Sequence, residues 1–323
     1  MRDVIELLLK ALAYSSGIAI GAAGITMIYM ATRTFNFTHA SMIAWGFYIV
    51  FATYSLLGGS PYYYIVLAAL FSGMLGVIVY LGVNRRLLKA GASMVTLMMS
   101  TLGVDLIFFA FLNIFADYLS TGLKIPTARY FVLELKDIVL AKIGGMEIKA
   151  IGIIAPLVMI GVTIALHSFL TKTKFGIAMR AAIENPNLAS ILGINPEAVY
   201  ITAWFIGGML AGLAGGLLSL VISGYPAVGM TLIVTFFCGA IVGGLYSIFG
   251  SLLGGLLIGL SEYLGIYSLS ASLGGWVLAY RPMIPLLIMA ATLLVYPRGL
   301  GGINWARVRE TITSYFKFLG GGR

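Results

Sequence analysis

Apolar residues in this chain come in long unbroken runs. They follow neither the three-to-four spacing of a water-facing helix nor the alternation of a half-buried strand. "IVLAALFSGMLGVIVYLGV", from Ile65 to Val83, holds no charged side chain. A helix needs about 20 apolar residues to cross the hydrocarbon core of a bilayer. Runs near that length are predicted at about 11–31, 40–58, 62–84, 93–116, 151–170, 199–222, 230–247, 250–270 and 282–297. The break between the seventh and eighth rests on Gly250 and the polar residues of "YSIFGSL", so the count is nine, or eight if those two merge. Barrel strands would show ten-residue alternating segments, and backbone groups in lipid must pair within their own segment. The expected fold class is therefore all-α: a polytopic integral membrane protein with about 8–9 transmembrane helices.

The polar breaks between runs set orientation. Arg85, Arg86 and Lys89 follow the third run, Lys172, Lys174 and Arg180 follow the fifth, and five Lys or Arg follow the last. Short loops rich in Lys and Arg stay on the cytoplasmic side, and these three alternate correctly onto one face. Nine spans then place the N-terminus outside, the C-terminus inside and the segment 117–150 outside. The opening "MRDVIELLLKALAYSSGIAIGAAG" has acids ahead of its apolar run and no small-residue cleavage pattern, so it reads as a retained first helix. The chain divides into one transmembrane domain, residues 1–303, and a cytoplasmic tail, 304–323. In that tail Trp305, Val308, Ile312, Tyr315 and Leu319 recur at helical spacing among Arg307, Arg309 and Lys317, the pattern of an interfacial helix on anionic lipid. Glycines four apart inside the runs, such as Gly208, Gly212 and Gly216, predict close helix contacts.

Composition changes this picture little. Hydrophobic residues make up 60% and charged residues 10% of 323, and the mean hydropathy of +1.03 lies outside the range of soluble domains. The net charge of +9 is spread over loops, with no basic cluster interleaved with aromatics, so nucleic acid is not the expected partner. Cys238 is the single cysteine and forms no intrachain disulfide. No G-x-x-x-x-G-K-[ST] loop is present, so this chain is not itself a P-loop ATPase. His39 and His167 stand far apart with no carboxylate beside either, which offers no metal site and no catalytic centre. An ion-coupled carrier needs intramembrane acids, and only Asp105 and Glu262 qualify.

One polar stretch interrupts the apolar pattern most strongly: "KFGIAMRAAIENPNLASILGINP", Lys174 to Pro196, within the loop 171–198. Good helix formers run to a break at Asn185-Pro186, resume, and end at Gly193, which predicts a cytoplasmic helix–turn–helix. Gly176, Ala178, Arg180 and Ala181, followed by Gly193, Ile194 and Asn195, are similar to the cytoplasmic segment of the permeases of branched-chain amino acid ABC importers, of the LivH and LivM type. "RTFNFTHASMIAWGFY" resembles that family's Asn-Phe-Ala-His-Gly signature at Asn36, Phe37 and His39, departing from it at Thr38 and Ala40. "FIGGMLAGLAGGLLS" and the stretch from Thr231 to Glu262 resemble its glycine-rich later spans. The likeness covers about residues 11 to 303 and is closer to the LivH type.

That resemblance implies a multi-pass permease of the cell membrane that provides a path for branched-chain or other hydrophobic amino acids. It implies ABC ATPase partners that bind the ATP, so this chain carries no cofactor of its own. It implies an extracytoplasmic substrate-binding protein and a second permease, in a heterodimer as first choice and a homodimer as second. The residues expected to couple to the ATPase are Gly176, Arg180, Ala181, Glu184, Asn185 and Gly193, with Gly176, Arg180 and Glu184 on one docking face. Polar residues expected along the path are Asn36, Thr38, His39, Thr96, Ser100, Thr101 and Asp105. The alternatives are an ion-coupled secondary transporter and an ABC permease for urea or short amides.

Overall fold

The computed structural model describes residues 2–143 and 146–302. The amphipathic tail expected at 304–323 lies outside the described residues. Twelve helices and one hairpin follow in order: α1 (Arg2–Thr32), α2 (His39–Leu57), α3 (Ile65–Val79), α4 (Arg85–Lys89), α5 (Met94–Asp117), β1 (Val139–Ile143), β2 (Met146–Lys149), α6 (Ile151–Lys172), α7 (Lys174–Glu184), α8 (Pro186–Ile191), α9 (Pro196–Leu218), α10 (Val228–Gly243), α11 (Ile248–Leu273) and α12 (Met283–Val295). Among the described residues eight helices are long and apolar enough to cross a membrane, and α10 is a shorter apolar helix beside them. All nine predicted runs are helices. The predicted break at Gly250 needs correction: α10 ends at Gly243, Gly244 adopts φ +98°, and Gly250 lies inside α11. Ser247, not Gly250, makes that boundary, because its hydroxyl accepts the Gly250 N–H at 3.0 Å and caps α11.

The centre of the bundle is α1, almost wholly buried and packed against α6, α9, α10 and α11. Its sequence explains the position: "SSGIAIGAAGIT" is apolar or small on every side, as a helix surrounded by others must be. Within lipid the hydrophobic effect gives no drive for helices to associate, so close van der Waals packing between small residues holds the spans together. Gly215 on α9 shows the consequence, since a Cβ there would lie 2.1 Å from the Ile43 carbonyl of α2. Helices α2 and α3 pack on α9, while α5 covers α2 and α12 covers α10 and α11 from outside.

The two ends of the bundle differ in charge. At one end Glu197 pairs with Arg85 and with Lys89, the latter at 3.4 Å, and Arg33 lies over the Tyr246 ring at 4.8 Å. The loops after α3 and α6 therefore meet at one end, as their basic charge predicts. The other end carries the antiparallel β1–β2 hairpin. It is fastened to the bundle by Lys10 to Glu134 at 2.8 Å, Lys149 to Glu134 at 3.0 Å and a Tyr62 hydroxyl donated to Asp137.

Candidate functional site

Three polar constellations stand out in an otherwise apolar molecule. The first forms where α1 turns into α2. Residues 34–38 fold back into the bundle, so α2 begins well inside it, with the His39 imidazole 3.0 Å from the Gly21 carbonyl of α1. The first N–H groups of any helix lack intrahelical acceptors, and at this depth water does not serve them. Helix α5 supplies partners: the Phe37 N–H donates to the Thr101 hydroxyl at 3.1 Å, and the Thr38 hydroxyl donates to the Thr101 carbonyl at 2.9 Å. The Asp105 carboxylate accepts the Ser41 N–H at 3.0 Å. Asn36 accepts the Thr38 N–H with its own side chain at 3.1 Å.

Five of the residues expected along a path, Asn36, Thr38, His39, Thr101 and Asp105, are thus brought together and are buried. Ser100 stands apart and returns its hydroxyl to the Leu97 carbonyl, and Thr96 belongs to the Ser93 cap of α5. Asp105 acts on the backbone of α2: an acid at a helix N-terminus offsets the helix dipole and fills an orphan donor.

The second constellation lies at the basic end. Helices α7 and α8 form the expected pair, broken at Asn185-Pro186. Each start is capped in the same way: Thr173 accepts from Gly176 N–H, Asn185 from Leu188 N–H, and Asn195 from Glu197 N–H, at 2.9, 3.1 and 3.0 Å. Pro186 and Pro196 occupy the first helical positions, where their fixed φ suits the turn. Gly193 takes φ +83°, a conformation glycine adopts without strain. Asn185 and Gly193 therefore shape the element.

Gly176 is buried against α6, and a Cβ there would meet the Phe169 carbonyl at 2.0 Å. The expectation that Gly176, Arg180 and Glu184 share one outward face is corrected here. Gly176, Met179 and Ala182 face the bundle, while Arg180, Ala181 and Glu184 are exposed. The end of α8 carries large exposed apolar side chains, Ile191 at 82% and Leu192 at 72% exposed. Glu184 lines a cavity of about 710 Å³ with Arg33, Arg85, Lys89 and Glu197.

The third constellation gathers around Glu262, singled out in the sequence as an intramembrane acid, whose partners Tyr14 and Arg281 the sequence reading did not identify. Glu262, 2% exposed on α11, accepts from the Tyr14 hydroxyl at 3.0 Å and from Arg281 Nε. The Arg281 guanidinium also lies over the Tyr14 ring at 4.7 Å. Glu262 is the buried member and Arg281 is 30% exposed, so removing Arg281 leaves a buried charge unmatched, at a cost of up to about 3–5 kcal/mol. A signal was present: a carboxylate in an apolar run needs a cation, and Arg281 is the one between Glu262 and Arg298. Among the described residues, no three His, Cys, Asp or Glu side chains come close enough together to hold a metal.

Comparison with known proteins adds to this geometry. Residues 7–294 match the profile of the family described as branched-chain amino acid transport system, permease component. The chain is 36% identical over 304 residues, 94% of each sequence, to a probable branched-chain amino acid transport permease protein LivH of Methanocaldococcus jannaschii. It is 27% identical over 308 residues to the high-affinity branched-chain amino acid transport system permease protein BraD of Pseudomonas aeruginosa, covering 92% of this chain and 95% of that one. It is also 27% identical over 294 residues to the LivH permease of Escherichia coli, covering 88% and 91%. No solved structure matches the chain.

Proposed function

This chain belongs to the branched-chain amino acid transport permease family, and from that premise we propose how it works: it carries branched-chain or other hydrophobic amino acids inward, driven by a separate ATPase that docks on α7 and α8. It is a multi-pass transport permease of the plasma membrane and not an enzyme. The observation that carries the docking assignment is the outward side of α7–α8, on which Arg180, Ile177, Leu188, Ile191 and Leu192 are all exposed. Unpartnered apolar side chains of that size on a water-facing surface mark a protein contact. The basic residues at this end argue that it is cytoplasmic, where ATP is. The hairpin end then faces outward and receives substrate from an extracytoplasmic binding protein. A second permease of the sister type completes the path.

Coupling requires a rigid connector. Shifting a population from 1:99 to 99:1 takes about 5.5 kcal/mol of differential interaction. Contact of α7 with α6 through Gly176, without an intervening side chain, suits that transmission, and the Arg85–Glu197 pair ties the start of α9 to α4. The two intramembrane acids are both engaged in bonds within the fold, Asp105 with Ser41 and Glu262 with Arg281, which favours an ATP-driven importer over an ion-coupled carrier.

Co-purification of the ATPase with the permease tests the docking surface. Arg180→Glu and Ile191→Asp should each reduce recovered ATPase at least tenfold, since truncating one partner of a desolvated charged contact costs about 2–5 kcal/mol. Lys142→Glu, on the hairpin at the far end, should leave recovery unchanged. Full recovery with both α7–α8 variants would exclude docking there.

A further inference from the structure

At the hairpin end, the α9–α10 linker, α10 and the segment joining α11 to α12 enclose a cavity of about 500 Å³. Its lining includes the Glu262–Arg281 pair. Both members keep one polar atom without a protein partner among the described residues, Glu262 Oε2 and Arg281 Nη2. Glu262 Oε1 is already committed to Tyr14 and Arg281. The Thr235 hydroxyl lines the same cavity, and Val228, Leu232 and Leu278 give it an apolar side.

We propose that this cavity binds one amino acid as its zwitterion, with the carboxylate toward Arg281, the ammonium toward Glu262 and an aliphatic side chain against Val228, Leu232 and Leu278. The inference deepens the transport reading and rests on it. The charges decide the ligand class. Glu262 is buried and paired with the partly exposed Arg281, and Glu134, also in the lining, is paired with Lys10 and Lys149. The lining therefore favours neither a simple cation nor a simple anion, because either would add a net charge beside a buried group. A zwitterion adds no net charge and presents both complementary groups at the spacing of one carbon. Charge-assisted bonds to a guanidinium and a carboxylate are the strong ones. The apolar wall then selects an aliphatic side chain over a polar one. By the charge argument the cavity opens on the outer face, where delivered substrate arrives.

The test uses the permease assembled with its ATPase in nanodiscs and photo-leucine, a diazirine analogue of leucine, as the probe. Crosslinks should map to residues 221–235 and 278–282. They should be competed by leucine and not by 3-methylbutylamine or 4-methylpentanoate, which each lack one charged group. Labelling should fall at least tenfold in the paired variant Glu262→Gln/Arg281→Gln. Because that change removes the buried Glu262 charge, Ala279→Trp, an exposed lining position, gives an independent block and should also reduce labelling tenfold. Crosslinks outside the cavity, unchanged labelling in Ala279→Trp, or equal competition by the singly charged analogues would overturn the site. ATP-driven leucine uptake by the unaltered complex separates the two claims: uptake without cavity labelling refutes this site alone, and absence of both refutes the amino acid reading together with it.

Discussion

Gly176 is the position where a single methyl group reports on coupling. A Cβ there would lie 2.0 Å from the Phe169 carbonyl and 2.8 Å from the Leu170 Cα, both backbone atoms of α6 that have no rotamer to give way. Ordinary contact begins near 3.4 Å, so Gly176→Ala forces α7 away by the difference, about 1.4 Å, carrying Arg180 and Glu184 with it. Overpacking of this kind costs about 1–3 kcal/mol. The strain falls on α7, beyond the end of the α6 span, so the transmembrane bundle should still insert and fold. As a coupling free energy, 1–3 kcal/mol corresponds to about 5–150-fold. Substrate-stimulated ATP hydrolysis by the purified complex should drop within that range, alongside weaker retention of the ATPase. Gly161→Ala, in α6 where an added Cβ meets nothing within 4 Å, is the control and should leave both unchanged. Wild-type stimulation in Gly176→Ala would refute the idea that the seating of α7 on α6 transmits the motion.

Two further outcomes follow from the polar clusters. Asp105→Asn keeps an oxygen for the Ser41 N–H and should retain uptake, whereas Asp105→Ala leaves that buried donor unmatched and should lower stability by about 1–3 kcal/mol in thermal unfolding of the purified protein. Burial pushes the Glu134 carboxyl upward, but hydrogen bonds and charge from Lys10 and Lys149 outweigh it and hold its pKa below the ordinary 4.5. The folded value is depressed, so this clamp contributes stability above pH 4.5 and loses it as pH falls through the lower folded value. Thermal unfolding should therefore show a drop below about pH 4.5 that Glu134→Gln abolishes, with no change in that difference between pH 5 and 8.

The spans were legible because bilayer thickness dictates the length of an apolar run: the run expected at 151–170 is Ile151–Lys172, and that at 40–58 is His39–Leu57. The α7–α8 break was legible for a local reason, since Asn185 before Pro186 caps one helix as it ends another. Local pattern failed at Gly250, where glycine inside a helix contact looks the same as glycine ending a helix. It failed again at Gly176, because which side of α7 faces the bundle depends on where α6 ends in space. That Asp105 and Asn36 serve the start of α2 was not legible, since their partners, Ser41 and Thr38, are backbone donors that no side-chain pattern announces. The Arg281–Glu262 pair joins residues on either side of a chain reversal, so only the fold brings them into contact.

Uptake of labelled leucine into vesicles tests the central claim most directly. The permease, its sister subunit and the ATPase would be reconstituted together, with the binding protein outside. An ATP-driven permease accumulates leucine only when ATP, the ATPase and the binding protein are all present, and continues after ionophores collapse the proton and sodium gradients. Accumulation by the permease without ATPase, driven by either gradient and abolished by Asp105→Asn, would contradict the account.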